Sequence, residues 1–173
     1  MPGRNEREAW RAFADPIKRA IGAVDLTARL LEKHFPADGV HMLSSAPPGI
    51  AFGGLTLSFS VTVKPLPGDE GGEWRMTTVR YDYALERVSS KRREQVIGWH
   101  WHPTSRRSHV SCPHVHVPSA NAYSTRHIPT GRVALEDVIM FGFDDLGVPP
   151  TSNRARRIVA DVRDRHKKFR SWG

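Results

Sequence analysis

Nine histidines occur in this chain, and five of them fall between His100 and His116. Their spacing carries the interest. His100 and His102 are separated by one residue, and so are His114 and His116. Successive side chains of a β-strand point to opposite faces, so each pair shares a face if its segment is extended. The alternate positions, Trp99, Trp101, Val115 and Val117, are large and apolar and are expected to face a core. If the two segments pair as a hairpin, all four histidines lie on one open face. Arg80 and Asp82 join them there, beside Ser58, Ser60 and Thr62.

Such a face admits three readings. The first is metal-free acid–base catalysis on an RNA phosphodiester. An imidazole titrates near neutrality, so one ring can accept a proton while another donates one. The RNA 2′-hydroxyl supplies the nucleophile. In this leading reading His100, His102, His114 and His116 include the general base and acid, and no cofactor is required. Arg80, Arg106, Arg107, Arg126 and Arg132 are the candidate phosphate ligands, because guanidinium matches phosphate bidentately. The second reading is a zinc, nickel or iron site on the same four histidines, with Cys112 and Asp82 nearby. The chain lacks the glutamate and glycine pattern of a cupin. It also lacks the third histidine of an H-x-H-x-H run, since the second pair is followed by Pro118. In the third reading the histidines merely decorate a polar sheet face. Clustered titratable groups repel one another when charged, so their clustering favours a use.

The remaining candidates have plainer roles. Alternation assigns Trp99, Trp101, Tyr81 and Tyr83 to the core rather than to base stacking. Cys112 is a lone thiol beside Pro113 with no catalytic signature around it. His109 sits in a basic loop, facing either the site or solvent. His127 either approaches the sheet edge or holds a loop by hydrogen bonds. His34, His41 and His166 read as incidental.

Those side chains need a scaffold, and the hydrophobic periodicity supplies one. Trp10, Phe13, Ile17, Ile21, Val24, Ala28, Leu31 and Phe35 recur at helical spacing, which predicts an N-terminal helical segment ended by Pro36 and kinked or split at Pro16, with Asp15 as a cap. Residues 44–54 read as loop, with Pro47, Pro48, Gly49, Gly53 and Gly54. The period then becomes two. Leu55 to Val63 alternate, as do Val79 to Leu85, Gln95 to His102, and the short His114 to Val117. Residues 127–132 read as loop. A helix follows from about Val133, using Leu135, Val138, Ile139 and Leu146. A last, strongly basic helix carries Ile158, Val162 and Phe169 as its apolar stripe. The expected architecture is α+β: a four-stranded antiparallel sheet packed against N-terminal and C-terminal helices. Residues 1–150 form one domain, and residues 151–173 form a basic helical arm suited to a partner.

Composition narrows the setting. The chain has 173 residues, 39% of them hydrophobic, with five tryptophans, so a sizeable core is expected. No apolar run is long enough to span a bilayer, and the charged start is followed by no apolar segment of a secretory signal. A single cysteine excludes an intrachain disulfide. These features point to the cytoplasm. The net charge is +8, clustered at Lys91 to Arg93, at Arg106 and Arg107, and from Arg154 to Arg170. Such clusters attract polyanions, most commonly nucleic acid, or an acidic protein partner.

The order of motifs also resembles a known group. A Y-x-Y strand (Tyr81, Tyr83) is followed by W-H-W-H-P (Trp99 to Pro103), P-H-x-H (Pro113 to His116) and the helix entry H-I-P-T-G-R-V-x-L-E-D-V (His127 to Val138). Over residues 79–147 this is similar to the TumE-like toxin components of prokaryotic toxin–antitoxin systems, within the wider RelE-like group. The resemblance implies a small basic fold with helices on an antiparallel sheet, action on mRNA, and a cognate antitoxin as partner. It carries over to the pairs His100/His102 and His114/His116, and to Arg132. A non-catalytic nucleic-acid or partner-binding module, acting through the C-terminal helix, is the remaining alternative.

Overall fold

A computed structural model describes residues 2–68, 72–90, 92–103, 111–117 and 126–168. Helix α1 (Glu6–Val24) leads into β1 (Leu30–Phe35), β2 (Val40–Ser45), β3 (Ile50–Phe52), β4 (Leu55–Leu66), β5 (Arg75–Val88), β6 (Arg93–Trp101), β7 (His114–Val117) and β8 (Arg126–Pro129). Helices α2 (Leu135–Asp144) and α3 (Asn153–Lys167) follow. The strands form one eight-stranded sheet in the order β1-β2-β4-β5-β6-β7-β8, with β3 pairing β4 off this path. Every pairing is antiparallel.

The α+β class is as expected, but the sheet is twice the expected size. The four strands read from alternation are β4 to β7; β1, β2, β3 and β8 enlarge it. The first correction lies at the end of α1. Its start is conventional: the Glu8 amide donates to Asn5 Oδ1 at 2.9 Å, and Glu6 and Glu8 face the positive end of the helix dipole. The helix runs through Pro16 without dividing. It stops at Val24 because Asp25 turns into extended backbone (φ −143°, ψ 108°). The Asp25 carboxylate then accepts from the Thr27 amide, the Thr27 hydroxyl and the Ala51 amide, pinning the turn to β3. Leu31 and Phe35 continue the helical spacing by coincidence and lie in β1, both substantially exposed.

The second correction concerns short strands without a clean alternation. The end of β2 and all of β3 fall in the stretch read as loop, and both strands are held by pairing with β4, whose Leu57, Phe59, Val61 and Val63 form a continuous buried row. β8 lies where a loop was expected. It pairs with β7 in the register Val117↔Arg126, His116↔His127, Val115↔Ile128 and His114↔Pro129. Pro129, which has no N–H to donate, is tolerated because β8 is the sheet edge.

The helices pack on one face of the sheet. The core joins Ile17 and Ile21 of α1, Leu43, Leu57, Phe59, Tyr81, Tyr83, Trp99 and Trp101 of the sheet, Val138 and Ile139 of α2, and Val159 and Val162 of α3. The buried stripe of α3 is Ala155, Val159, Val162 and His166, rather than one through Ile158; Phe169 lies outside the described residues. Leu146 lies beyond α2 and is partly exposed. His166 pairs through Nδ1 with the Glu136 carboxylate, both buried, and so ties α3 to α2. No helix among the described residues is long and apolar enough to cross a membrane.

One close approach fixes how α2 sits on the sheet. A Cβ at Gly142 would stand 2.2 Å from Cε1 of Phe52, and Phe52 is itself fully buried against Phe143. Gly142→Ala is therefore expected to destabilise the fold by about 1–3 kcal/mol through overpacking. Urea denaturation checks this; an unchanged midpoint would show that α2 sits less tightly than described.

Candidate functional site

The pairing of β5, β6, β7 and β8 builds the site. Asp82 lies opposite His100, His100 opposite His114, Gly98 opposite His116, and His116 opposite His127. Because Tyr81, Tyr83, Trp99, Trp101 and Val115 take the core face, these groups take the other. The structure thus brings His100, His102, His114 and His116 together as the spacing predicts, with Asp82 beside them. It also adds His127, whose ring stacks 4.9 Å from His114 and 4.3 Å from His116. The His100 and His116 rings are 4.2 Å apart, and His114 and His116 4.9 Å.

Glycine makes the closest of these approaches feasible. A Cβ at Gly98 would lie 2.7 Å from Gln95 Nε2 and 2.8 Å from His100 Nε2, so a side chain at this position facing His116 would displace both.

Three of the rings are fixed from one side. His100 donates from Nδ1 to Asp82 Oδ1 at 2.7 Å, and His102 donates from Nε2 to the same oxygen at 2.8 Å. His114 donates from Nδ1 to the Cys112 carbonyl at 2.9 Å. In a neutral imidazole the nitrogen opposite the donor carries a lone pair. His100 Nε2 and His102 Nδ1 are such nitrogens, and together with His116 Nε2 they are buried without a hydrogen-bond partner among the described residues.

The electrostatics follow from this crowding. Burial, reinforced by His100, His127 and His114, lowers the His116 pKa to about 4. Burial also lowers His102, with Arg80 and His100 acting in the same direction and Asp82 opposing. Burial works to raise the Asp82 carboxyl, but the hydrogen bond from His100 and the charges of His102, His100 and Arg80 outweigh it and hold the group below its usual value. The face therefore keeps a carboxylate and at least one uncharged imidazole near neutral pH.

Two groups of three have ligand atoms within 4.8 Å of one another on this face: His114, His116 and His127, and Asp82, His100 and His102. The first offers imidazole nitrogens alone, and the His100 ring of the second lies 4.2 Å from that of His116. Zinc, nickel and iron suit such nitrogen and carboxylate donors.

The candidate phosphate ligands fare differently. Arg80 is exposed beside the histidines, its Nη2 3.4 Å from Asp82 Oδ2. Arg132 is not brought to them. Its guanidinium lies 3.7 Å over the ring of Trp101, on the core side of β6, in a cation–π contact. Arg106, Arg107 and the side chain of Arg126 lie outside the described residues, as does His109. Cys112 is exposed, and its contribution to the site is its carbonyl rather than its thiol. His127 was the residue hardest to place from sequence: Ile128 beside it is exposed and Pro129 breaks the strand pattern, so only pairing with β7 reveals its face.

No family model matches the chain, and no curated protein or solved structure matches it either.

The depressed His116 value has a signed consequence. The unfolded chain binds a proton at this ring near pH 6.5, whereas the folded chain resists it down to about 4. The unfolded state thus binds more protons in that window, and stability falls as pH drops from about 6.5 towards 4. In chelator-treated protein, His116→Asn is expected to flatten the decline in Tm across this range. Parallel Tm–pH curves for the two proteins would refute the assignment.

Proposed function

We propose that the histidine face is a transition-metal centre with zinc-type chemistry, in a hydrolase that acts on RNA phosphodiesters in a toxin–antitoxin setting. The observation that carries the metal centre is the orientation of the rings. His100 is held from outside by Asp82 and His114 by the Cys112 carbonyl. Metal-ligating histidines are typically anchored this way, with one nitrogen donating to a carboxylate or carbonyl and the other offering its lone pair. Buried, unpartnered nitrogens at His100 and His116 fit the same use. His114, His116 and His127 are the proposed ligands, with His100 as the fourth. Asp82 positions His100 and His102.

A bound zinc-type cation would supply Lewis-acid polarisation of a phosphoryl oxygen and activation of water. The RNA substrate is supported by the net charge of +8, by exposed Arg80 beside Asp82, and by the resemblance to TumE-like toxins, which also motivates an antitoxin partner.

A second reading, a metal-independent ribonuclease, is favoured by one specific contact. The Asp82–His100 bond orients an imidazole beside His116, which stays uncharged near neutral pH. Here His116 takes the proton of the RNA 2′-hydroxyl as that oxygen attacks phosphorus. His100 protonates the departing 5′-oxygen, leaving a cyclic phosphate.

One pair of measurements separates the two. Elemental analysis of purified, untagged protein is expected to show one fewer zinc-type ion per chain in a His114→Ala/His116→Ala variant. Asp82→Asn is expected to weaken metal binding by roughly 10–100-fold, and RNA cleavage to cease in chelator. Equal metal content in the chain and the double variant would sink the metal centre. Cleavage that persists in chelator but vanishes when His100, His102, His114 and His116 are all replaced would establish the metal-free mechanism. Absence of cleavage under every condition would overturn both.

A further inference from the structure

A second histidine cluster lies at the opposite end of the sheet. β1 and β2 pair so that His34 stands directly across from His41, and their rings stack 4.4 Å apart. His41 shares its side of β2 with fully buried Leu43, so both imidazoles face the helical layer, away from the side that carries His100 and His116. Glu6, in the first turn of α1, reaches down to them. Its Oε1 is 2.8 Å from His41 Nε2 and 3.9 Å from His34 Nε2. Trp10, one turn further along α1, stacks 4.9 Å from the His41 ring and donates its indole N–H to Glu32 Oε2 at 3.0 Å. The arrangement therefore has a floor as well as three donors.

We propose that Glu6, His34 and His41 form a second site for a divalent transition-metal ion, one that clamps the start of α1 onto the β1–β2 hairpin. The three ligand atoms lie within 4.8 Å of one another. Two donors each about 2.1 Å from a tetrahedral zinc ion stand about 3.4 Å apart. The two Glu6 distances, 2.8 and 3.9 Å, bracket that separation, so small side-chain rotations bring all three atoms to an ion between them. His41 is largely buried, whereas Glu6 and His34 are half exposed. An ion thus has both an anchored ligand and an open approach from solvent, and the open side leaves a coordination position for water. Three ligands from three elements make the site a cross-link, since helix and hairpin are otherwise joined here by Trp10 and by surface ion pairs such as Lys18–Glu32.

The site is independent of the histidine face, and zinc titration of the full chain separates the two. Calorimetry is expected to find one zinc equivalent lost in His34→Ala and in Glu6→Gln, with the equivalent that depends on His114 and His116 retained. Zinc is also expected to raise Tm by a smaller amount in His34→Ala than in the parent chain. His34 lies on an exposed edge strand, so this variant should fold, which circular dichroism would verify. Unchanged stoichiometry and an unchanged zinc-induced Tm shift in both variants would overturn the proposal. So would a single equivalent that disappears only in His114→Ala/His116→Ala. A single equivalent that disappears only in His34→Ala would support the clamp while overturning the metal centre on the opposite face.

Discussion

A β-strand reverses its side chains at every residue, so burying one set of positions determines where the other set goes. In β5, β6 and β7 the buried set is Tyr81, Tyr83, Leu85, Trp99, Trp101 and Val115. These rings carry much of the apolar area that holds the sheet to its helices, and aromatic side chains dominate core energetics. A slip of one residue in β6 would send Trp99 and Trp101 to the open face and His100 into the core. That exchange costs several large apolar burials and gains only buried imidazole. The histidine cluster is thus positioned by the tryptophans between its members. The register of β7 follows, because Val115 must meet Trp99, which sets His114 opposite His100 and Gly98 opposite His116.

The face so assembled is costly in itself. A buried polar atom without a partner disfavours folding by about 1–3 kcal/mol, and three imidazole nitrogens here have none among the described residues. Mutual repulsion adds to this whenever the rings are charged: His116 is lowered first by burial and further by its neighbours His100, His127 and His114. Asp82 relieves part of the cost by accepting from two rings with one oxygen, and the Cys112 carbonyl relieves a third ring. A ligand that accepts the remaining lone pairs would be bound by the folded chain in preference to the unfolded one, and its binding energy would add to stability. The same unsatisfied nitrogens that weaken the fold would therefore be the source of affinity in the proposed metal centre.

The legibility of these features varied with how directly each is written in local pattern. The long alternations of β4, β5 and β6 could be read because each buries one face along its whole length. The pairing of H-x-H segments was legible for the same reason. The helix boundary at Val24 was not, since Leu31 and Phe35 prolong a helical spacing and the stop depends on Asp25 bonding to Ala51, a contact across 26 residues. β2, β3 and β8 are short, and their stability comes from neighbours rather than from their own residues. The Glu6–His34–His41 group was hidden by the same error. With residues 30–35 read as helix, His34 and His41 had no reason to meet, whereas a β1–β2 hairpin makes them cross-strand partners. His166 likewise gained its role only from the packing of α3, which sets it on buried Glu136.

The arginines of α3 and the histidine cluster lie on different faces of the sheet, which constrains how a polyanion bound to that helix would engage this protein. The arginines of α3 belong to the helical layer, since Val159 and Val162 hold that helix in the core with α1 and α2. Arg132 is likewise committed to Trp101 on the core side. On the open face Arg93 is engaged by Glu86, Ser58 and the Pro48 carbonyl, while Arg80 meets one edge of Asp82 at 3.4 Å. A strand of RNA gripped by α3 would therefore not be presented to His116 unless it passed around an edge of the sheet. Polyanion binding through the basic helix and the chemistry proposed for the histidines would therefore be separable. Salt dependence would report the former, and metal or proton dependence the latter. Removing α3 is a poor way to divide them, because its apolar stripe completes the core that holds the sheet in register.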